Sequence, residues 1–139
     1  MNTIIDTDAL VGLFNAGDIH NREASRIFEE LVRLEINTLV LPTTIGEFAA
    51  VFAKDFGVKE SQGVIHRVLH SDITIIEVDE DLTVQAIAMY QKQRSRKESL
   101  FDCFNMATAK RLGIRYIFSF DKGYKKQKNG FSLISDFLL

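Results

Sequence analysis

One cysteine, one proline, three histidines and no tryptophan are what this 139-residue chain offers of those four types. A single thiol, Cys103, excludes an intramolecular disulfide and a thiolate-rich metal cage, and it fits a reducing, cytoplasmic setting. One proline against eight glycines excludes collagen-like and low-complexity compositions. The chain has no apolar run of membrane length and no basic segment leading into a long apolar stretch, so no membrane association or targeting is expected. Excess positive charge is missing too: 17 Lys and Arg face 19 Asp and Glu, for a formal net charge of −2. Composition alone therefore makes no case for a nucleic-acid partner, although a basic rim around an acidic centre would cancel in the sum.

What is present suits one globular domain spanning residues 1–139, with 46% hydrophobic residues to fill its core. Four short apolar runs read as buried strands: Thr3 to Asp6, Thr38 to Leu41, Ile73 to Val78 and Arg115 to Phe120. A fifth, Phe131 to Ile134, reads as a short edge strand. Between them, apolar residues recur at helical spacing from Asp8 to Ala16, His20 to Leu34, Thr43 to Gly57, Val58 to His70, Asp79 to Gln93 and Leu100 to Leu112. Gly17, Gly57 and Gly113 stand where C-terminal caps belong. Strands alternating with helices predict an α/β fold, a parallel sheet covered on both faces in three layers.

The chemistry of the chain is carried by carboxylates, and each has a purely structural account. Asp8 suits the N-cap of the first helix. Thr44 with Glu47, and Ser99 with Asp102, match capping boxes. Asp121 before Lys-Gly suits a turn. Position argues for more. Asp6 ends the first strand, Asp121 follows the fourth, and Glu47 lies in the first turn after the second, so all three belong to the carboxyl edge of the sheet, where open α/β folds place ligands. Asp102 opens a helix that precedes the fourth strand, and simple topology expects that helix to start at the opposite edge. Two carboxylates 4 Å apart repel by roughly 4 kcal/mol at an effective dielectric near 20. Convergence of four therefore demands a cation or raised pKa values. Oxygen donors without thiolate or imidazole select Mg²⁺, with Mn²⁺ as a substitute. Asn105, one helical turn beyond Asp102, and Ser119, two residues before Asp121, are candidate supporting groups.

Four blocks, IIDTDALVGLF, TTIGEFAAVF, SLFDCFNMATAKRLGI and IFSFDKGY, follow one another at spacings that resemble PIN-domain proteins of the VapC type, the toxin half of toxin–antitoxin pairs. The resemblance implies a parallel sheet of order 3-2-1-4-5 and a divalent-metal-dependent endoribonuclease. It implies Asp6, Glu47, Asp102 and Asp121 as the catalytic and metal-binding acids, with Ser119 at a position often held by Thr or Ser. It also implies that the helix of Asp102 does bring its carboxylate to the metal. Asp8 departs from the Ser, Thr or Asn usual at its position; it reads as the helix cap ahead of a water-mediated metal contact. The implied partners are an RNA substrate, a small antitoxin and a second copy of the chain.

Two cationic clusters could contact RNA phosphates, Lys92 with Arg94, Arg96 and Lys97, and Lys122 with Lys125, Lys126 and Lys128; a solvated face is the alternative for both. His20, His66 and His70 fall outside the acidic blocks and read as surface or helix-face residues. That placement argues against a metal-free route through the RNA 2′-hydroxyl. Two other functions compete. Ile4-Ile5-Asp6-Thr7-Asp8 also fits the first motif of a haloacid-dehalogenase-type phosphatase, with Thr43 as its second, but no paired acidic motif follows. A PIN domain that binds RNA or protein without cleaving is the non-enzymatic alternative.

Overall fold

The computed structural model describes residues 1–93, 98–126 and 130–138. In chain order the elements are β1 (Asn2–Ile5), α1 (Thr7–Phe14), α2 (Asn21–Arg33), β2 (Asn37–Val40), α3 (Pro42–Phe56), α4 (Val58–Leu69), β3 (Ile73–Ile75), α5 (Glu80–Gln91), α6 (Leu100–Leu112), β4 (Tyr116–Phe118), α7 (Gly123–Lys126), β5 (Ser132–Leu133) and α8 (Ile134–Phe137). The five strands form one sheet in the order β3-β2-β1-β4-β5, and every pairing is parallel. The expected class and strand order are both found.

Side-chain alternation along each strand builds the three layers. Ile4, Leu39, Ile117 and Leu133 point to one face and pack with Leu82 and Ala86 of α5 and with Cys103, Met106 and Ala107 of α6. Ile5, Val40 and Phe118 point to the other, against Ala9 and Leu10 of α1, Ile27 and Leu31 of α2, Phe48 of α3, Val64 of α4 and Ile134 of α8. Both faces are thus covered over β1, β2 and β4, which is why those strands read as unbroken apolar runs, while Thr74 and Ile75 of edge strand β3 stay exposed. Among the described residues no helix is long and apolar enough to cross a membrane.

The path between β3 and β4 corrects the expectation for Asp102. α5 and α6 form an antiparallel pair, tied by Arg111 Nη1 to Asp79 Oδ2 at 2.7 Å at one end and by Gln93 Nε2 to Cys103 Sγ at 3.8 Å at the other. The end of α6 turns at Gly113 (φ +67°) into Ile114–Tyr116, which gather with Met1 and Asn2 at the amino edge of the sheet. A helix that hands on to the amino end of a parallel strand begins at that strand's carboxyl edge. The first turn of α6 therefore arrives at the side of the sheet where β1 and β4 end.

Helix starts differ from the local reading in two places. Asp6, not Asp8, caps α1: its carboxylate accepts from Thr7 N at 2.7 Å. α3 begins with Pro42 at its first position and has no side-chain cap, so the Thr44/Glu47 capping box does not form. The Ser99/Asp102 box does form, with both arms made. α1 ends at Asn15, and Gly17 N donates to the Asn15 side chain instead of capping the helix.

Candidate functional site

The carboxyl ends of β1 and β4 open into a cleft of about 420 Å³ whose lining includes Asp6, Asp8, Glu47, Asp102 and Asp121. All four acids anticipated for the site thus share one cavity, and Asp8 joins them. Asp6 is the innermost. Its backbone N–H continues the sheet by donating to Phe118 O at 3.0 Å, which fixes the carboxylate at the strand end. Oδ1 accepts from Thr7 N at 2.7 Å and from Asn105 Nδ2 at 3.2 Å; Oδ2 accepts from Tyr124 Oη at 2.8 Å, with Ser119 Oγ 3.5 Å away. Even with these donors the Asp6 pKa is pushed up to about 7. Burial is the main cause, reinforced by the charges of Asp8 and Asp102.

Asp8 is aimed across the cleft at the residues that follow β4. Its carboxylate accepts from Phe120 N at 2.9 Å and lies 3.1 Å from Ser119 Oγ. Ser119 Oγ in turn accepts from Asp121 N at 3.0 Å, so one hydroxyl coordinates the positions of Asp6, Asp8 and Asp121. Burial raises the Asp8 pKa, and the donors Phe120 N and Ser119 Oγ oppose it. Asp102 accepts from Ser99 N at 2.9 Å through Oδ2 and turns Oδ1 to Tyr124 Oη at 3.3 Å; burial raises its pKa as well. Glu47 is held by Thr7 Oγ1, a tertiary hydrogen bond in place of the predicted cap. Asp121 closes a turn by accepting from Gly123 N at 2.8 Å and is exposed at the mouth. Asn105 is fully buried between Asp6 and Tyr124 and also accepts from Thr44 Oγ1 at 3.3 Å.

Four contributors were not anticipated. Tyr124, the last residue of the IFSFDKGY block, is buried, and its hydroxyl joins Asp6, Asp102 and Asn105. Burial and the adjoining carboxylates lift its pKa well above the ordinary tyrosine range, so it remains a proton donor to those carboxylates. Thr7 positions Glu47. Glu98, four residues before Asp102, is buried beside Asp102, Asp121 and Tyr124, with its pKa raised by burial. His20 lines the cleft in contrast to its surface reading, because the α1–α2 turn folds it over Phe120. Tyr124 and Thr7 lie inside motifs that pointed to the site; Glu98 and His20 do not.

Of the cationic candidates, Lys122 is exposed directly after Asp121, and Lys125 pairs with Asp136 at 2.7 Å. Arg94, Arg96, Lys97 and Lys128 lie outside the described residues, as does the side chain of Lys126. The described lining of the cleft carries no Lys or Arg.

The acid donors are all carboxylate oxygens, the set that suits a hard divalent cation such as Mg²⁺. Among the described residues no three acid, His or Cys side chains stand close enough together to grip an ion unaided. Their present partners explain this, since Glu47, Asp8 and Asp121 are each drawn to a separate donor. Mg²⁺ commonly keeps several of its waters, which bridge such gaps. Burial, ahead of the neighbouring carboxylates, raises the Asp6 pKa, and the described lining holds no Lys or Arg to offset those charges.

The PIN-domain family model matches residues 3–129. Among curated proteins none matches the sequence significantly. The fold is similar to that of the Mycobacterium tuberculosis VapC20, a toxin that cleaves the sarcin–ricin loop, at a TM-score of 0.80 and 20% identity over 91% of this chain and 95% of that one. It is similar to a chain of VapBC2 from Rickettsia felis, bound to a promoter DNA fragment, at 0.72 and 15% over 94% and 96%. It is also similar to a chain of a Klebsiella pneumoniae toxin–antitoxin complex, at 0.64 and 19% over 94% and 95%. With a family model spanning nearly its whole length and the parallel 3-2-1-4-5 sheet to match, the chain belongs to the PIN-domain family.

Proposed function

We propose that this chain is a Mg²⁺-dependent endoribonuclease and the toxin component of a toxin–antitoxin pair. The observation that carries the reading is the convergence of Asp6, Asp8, Glu47, Asp102 and Asp121 on one cleft at the carboxyl edge of the sheet. Asp6 and Asp121, with Asp102, Glu47 and Asp8 directly or through water, are the residues that would hold the ion, with Mn²⁺ as a substitute. A bound divalent ion supplies activation of water and neutralisation of the charge that develops on a phosphodiester. The chain's own groups hold the carboxylates in place: Tyr124 and Asn105 orient Asp6, Ser119 and Phe120 N orient Asp8, and Thr7 orients Glu47. In-line attack of water on phosphorus breaks the P–O3′ bond, leaving a 5′-phosphate on one product and a 3′-hydroxyl on the other. One imidazole stacked on Phe120 does not supply the acid–base pair that the 2′-hydroxyl route needs.

The phosphatase alternative finds less support. The family match is to PIN domains, and Thr43, which would have to stand beside Asp6, does not line the cleft. The purely binding alternative has no degeneracy to rest on, since every acid is in place. Complexes with antitoxins among the similar structures support a small antitoxin as partner. Exposed Val32 and Leu34 beside α2, and Val58 and Leu69 on α4, offer apolar surface for it or for a second copy of the chain. RNA incubated with the protein and Mg²⁺ is expected to be cut, with cutting abolished by EDTA and p-nitrophenyl phosphate left intact. Intact tRNA and mRNA across a panel, or release of p-nitrophenol, contradicts the reading.

A further inference from the structure

The acidic cleft has an aromatic side that the metal chemistry does not use. Phe118 is fully buried in the sheet; Phe120 meets it edge-on, with ring centroids 6.5 Å apart and planes at 72°. His20 then lies flat on Phe120, 4.1 Å between centroids and 3° between planes. The pile is rooted in the core and ends in a half-buried imidazole on the cleft wall. Its second ring belongs to the residue whose N–H donates to Asp8 and which directly precedes Asp121, so it is locked to the acids by one peptide unit.

Local hydrogen bonds hold the backbone of the turn that delivers His20. His20 N donates to Asp18 Oδ2 at 2.9 Å, Ala24 N donates to His20 O at 2.8 Å, and Asn21 Nδ2 reaches back to Gly12 O at 2.8 Å. Gly12 leaves the room for this: a Cβ there would stand 3.1 Å from Ala24 Cβ and 3.3 Å from His20 Cβ. A half-buried ring backed on one side by Phe120 at the edge of a charged cleft is placed to offer its other face for stacking.

We propose that His20, backed by Phe120 and Phe118, is the platform on which one unpaired base of the RNA strand stacks beside the acidic cleft. The proposal rests on the nuclease reading for the identity of its ligand. Unpaired RNA bases are commonly held by stacking on aromatic and imidazole rings, which is tolerant of sequence because every base has a π-face. Stacking also answers a need specific to this cleft. Its described walls repel phosphates and carry no Lys or Arg, so a grip on the base supplies affinity that charge does not.

The test is binding of a fluorescein-labelled twelve-nucleotide oligouridylate, compared with an abasic ribose-phosphate strand of equal length and charge, in Ca²⁺ to suppress cleavage. Loss of one stacked base is expected to cost roughly five- to a hundred-fold in affinity. Wild-type protein should therefore prefer the base-bearing strand, and His20→Ala should lose that preference while binding the abasic strand as wild type does. His20→Phe should retain it. Three results overturn the proposal: no preference in the wild type, a preference that survives His20→Ala, or an equal loss on both strands. Cleavage in Mg²⁺ is read separately. Wild type that shows the preference but never cuts sinks the nuclease reading and leaves the platform standing; wild type that cuts but lacks a His20-dependent preference does the reverse.

Discussion

The environment of Asp6 works in two directions at once. Thr7 N, Asn105 and Tyr124 donate to it, yet burial and the charges of Asp8 and Asp102 outweigh them and lift its pKa from 3.8 to about 7. A carboxyl with a raised pKa holds a proton in the folded state that the unfolded chain has already released. Metal-free stability should therefore fall as pH climbs from about 4 to about 7 and level off above that. Thermal melts of EDTA-treated protein are expected to show a lower Tm at pH 7.5 than at pH 5.5. Asp6→Asn should remove the larger part of that slope, and added Mg²⁺ should stabilise the wild type more at the higher pH. A slope unchanged by Asp6→Asn would place the strain elsewhere. Asp8 illustrates how a residue can mislead: beside a helix start it reads as a cap, but Asp6 already caps α1 and frees Asp8 to reach Ser119 and Phe120 just past β4.

At the scale of elements, local signals proved legible and crossed ones did not. The bounds of α6, Leu100 to Leu112, are legible in the sequence because both of its ends are written within a few residues: Ser99 and Asp102 bond each other's backbone, and Gly113 takes the left-handed conformation (φ +67°). The start of α3 lies one residue from its sequence reading, but the expected cap is absent: Thr44 and Glu47 resemble a capping box while bonding Asn105 and Thr7 from other elements. β3 is shorter than its apolar run, since its register ends where Val40 of β2 meets Ile75, and only Ile76 N reaches one bond further. Tyr124 and His20 share that limit. Nothing near either residue says that folding brings it to Asp6 or Phe120, separations of 118 and 100 positions in the chain. The capping box offers its own test. Ser99→Ala is expected to cost about 1 kcal/mol, read as a Tm lower by about 3–5 °C. A melt unchanged by the substitution would mean the first turn of α6 is held by its packing alone.

For the molecule as a whole, a parallel sheet covered by helices on both faces leaves the carboxyl edge as the place where polar groups can collect. Two strand ends, the N-terminal parts of α1, α3 and α6, and the turn before α7 meet there. Asp102 arrives because α5 and α6 pair antiparallel, so that α6 begins at the same edge where β1 and β4 end. The resulting cleft concentrates negative charge in a chain whose net charge is only −2. It is a poor home for RNA phosphates until a cation enters. The most direct measurement pairs calorimetric titration of Mg²⁺ with RNA cleavage in wild type and Asp6→Asn. Wild type should bind the ion and cut RNA. Asp6→Asn should lose both together, the cleavage rate by a hundred-fold or more, while circular dichroism shows the fold retained. Cleavage that persists in EDTA, or an Asp6→Asn protein that cuts at the wild-type rate, would contradict the account.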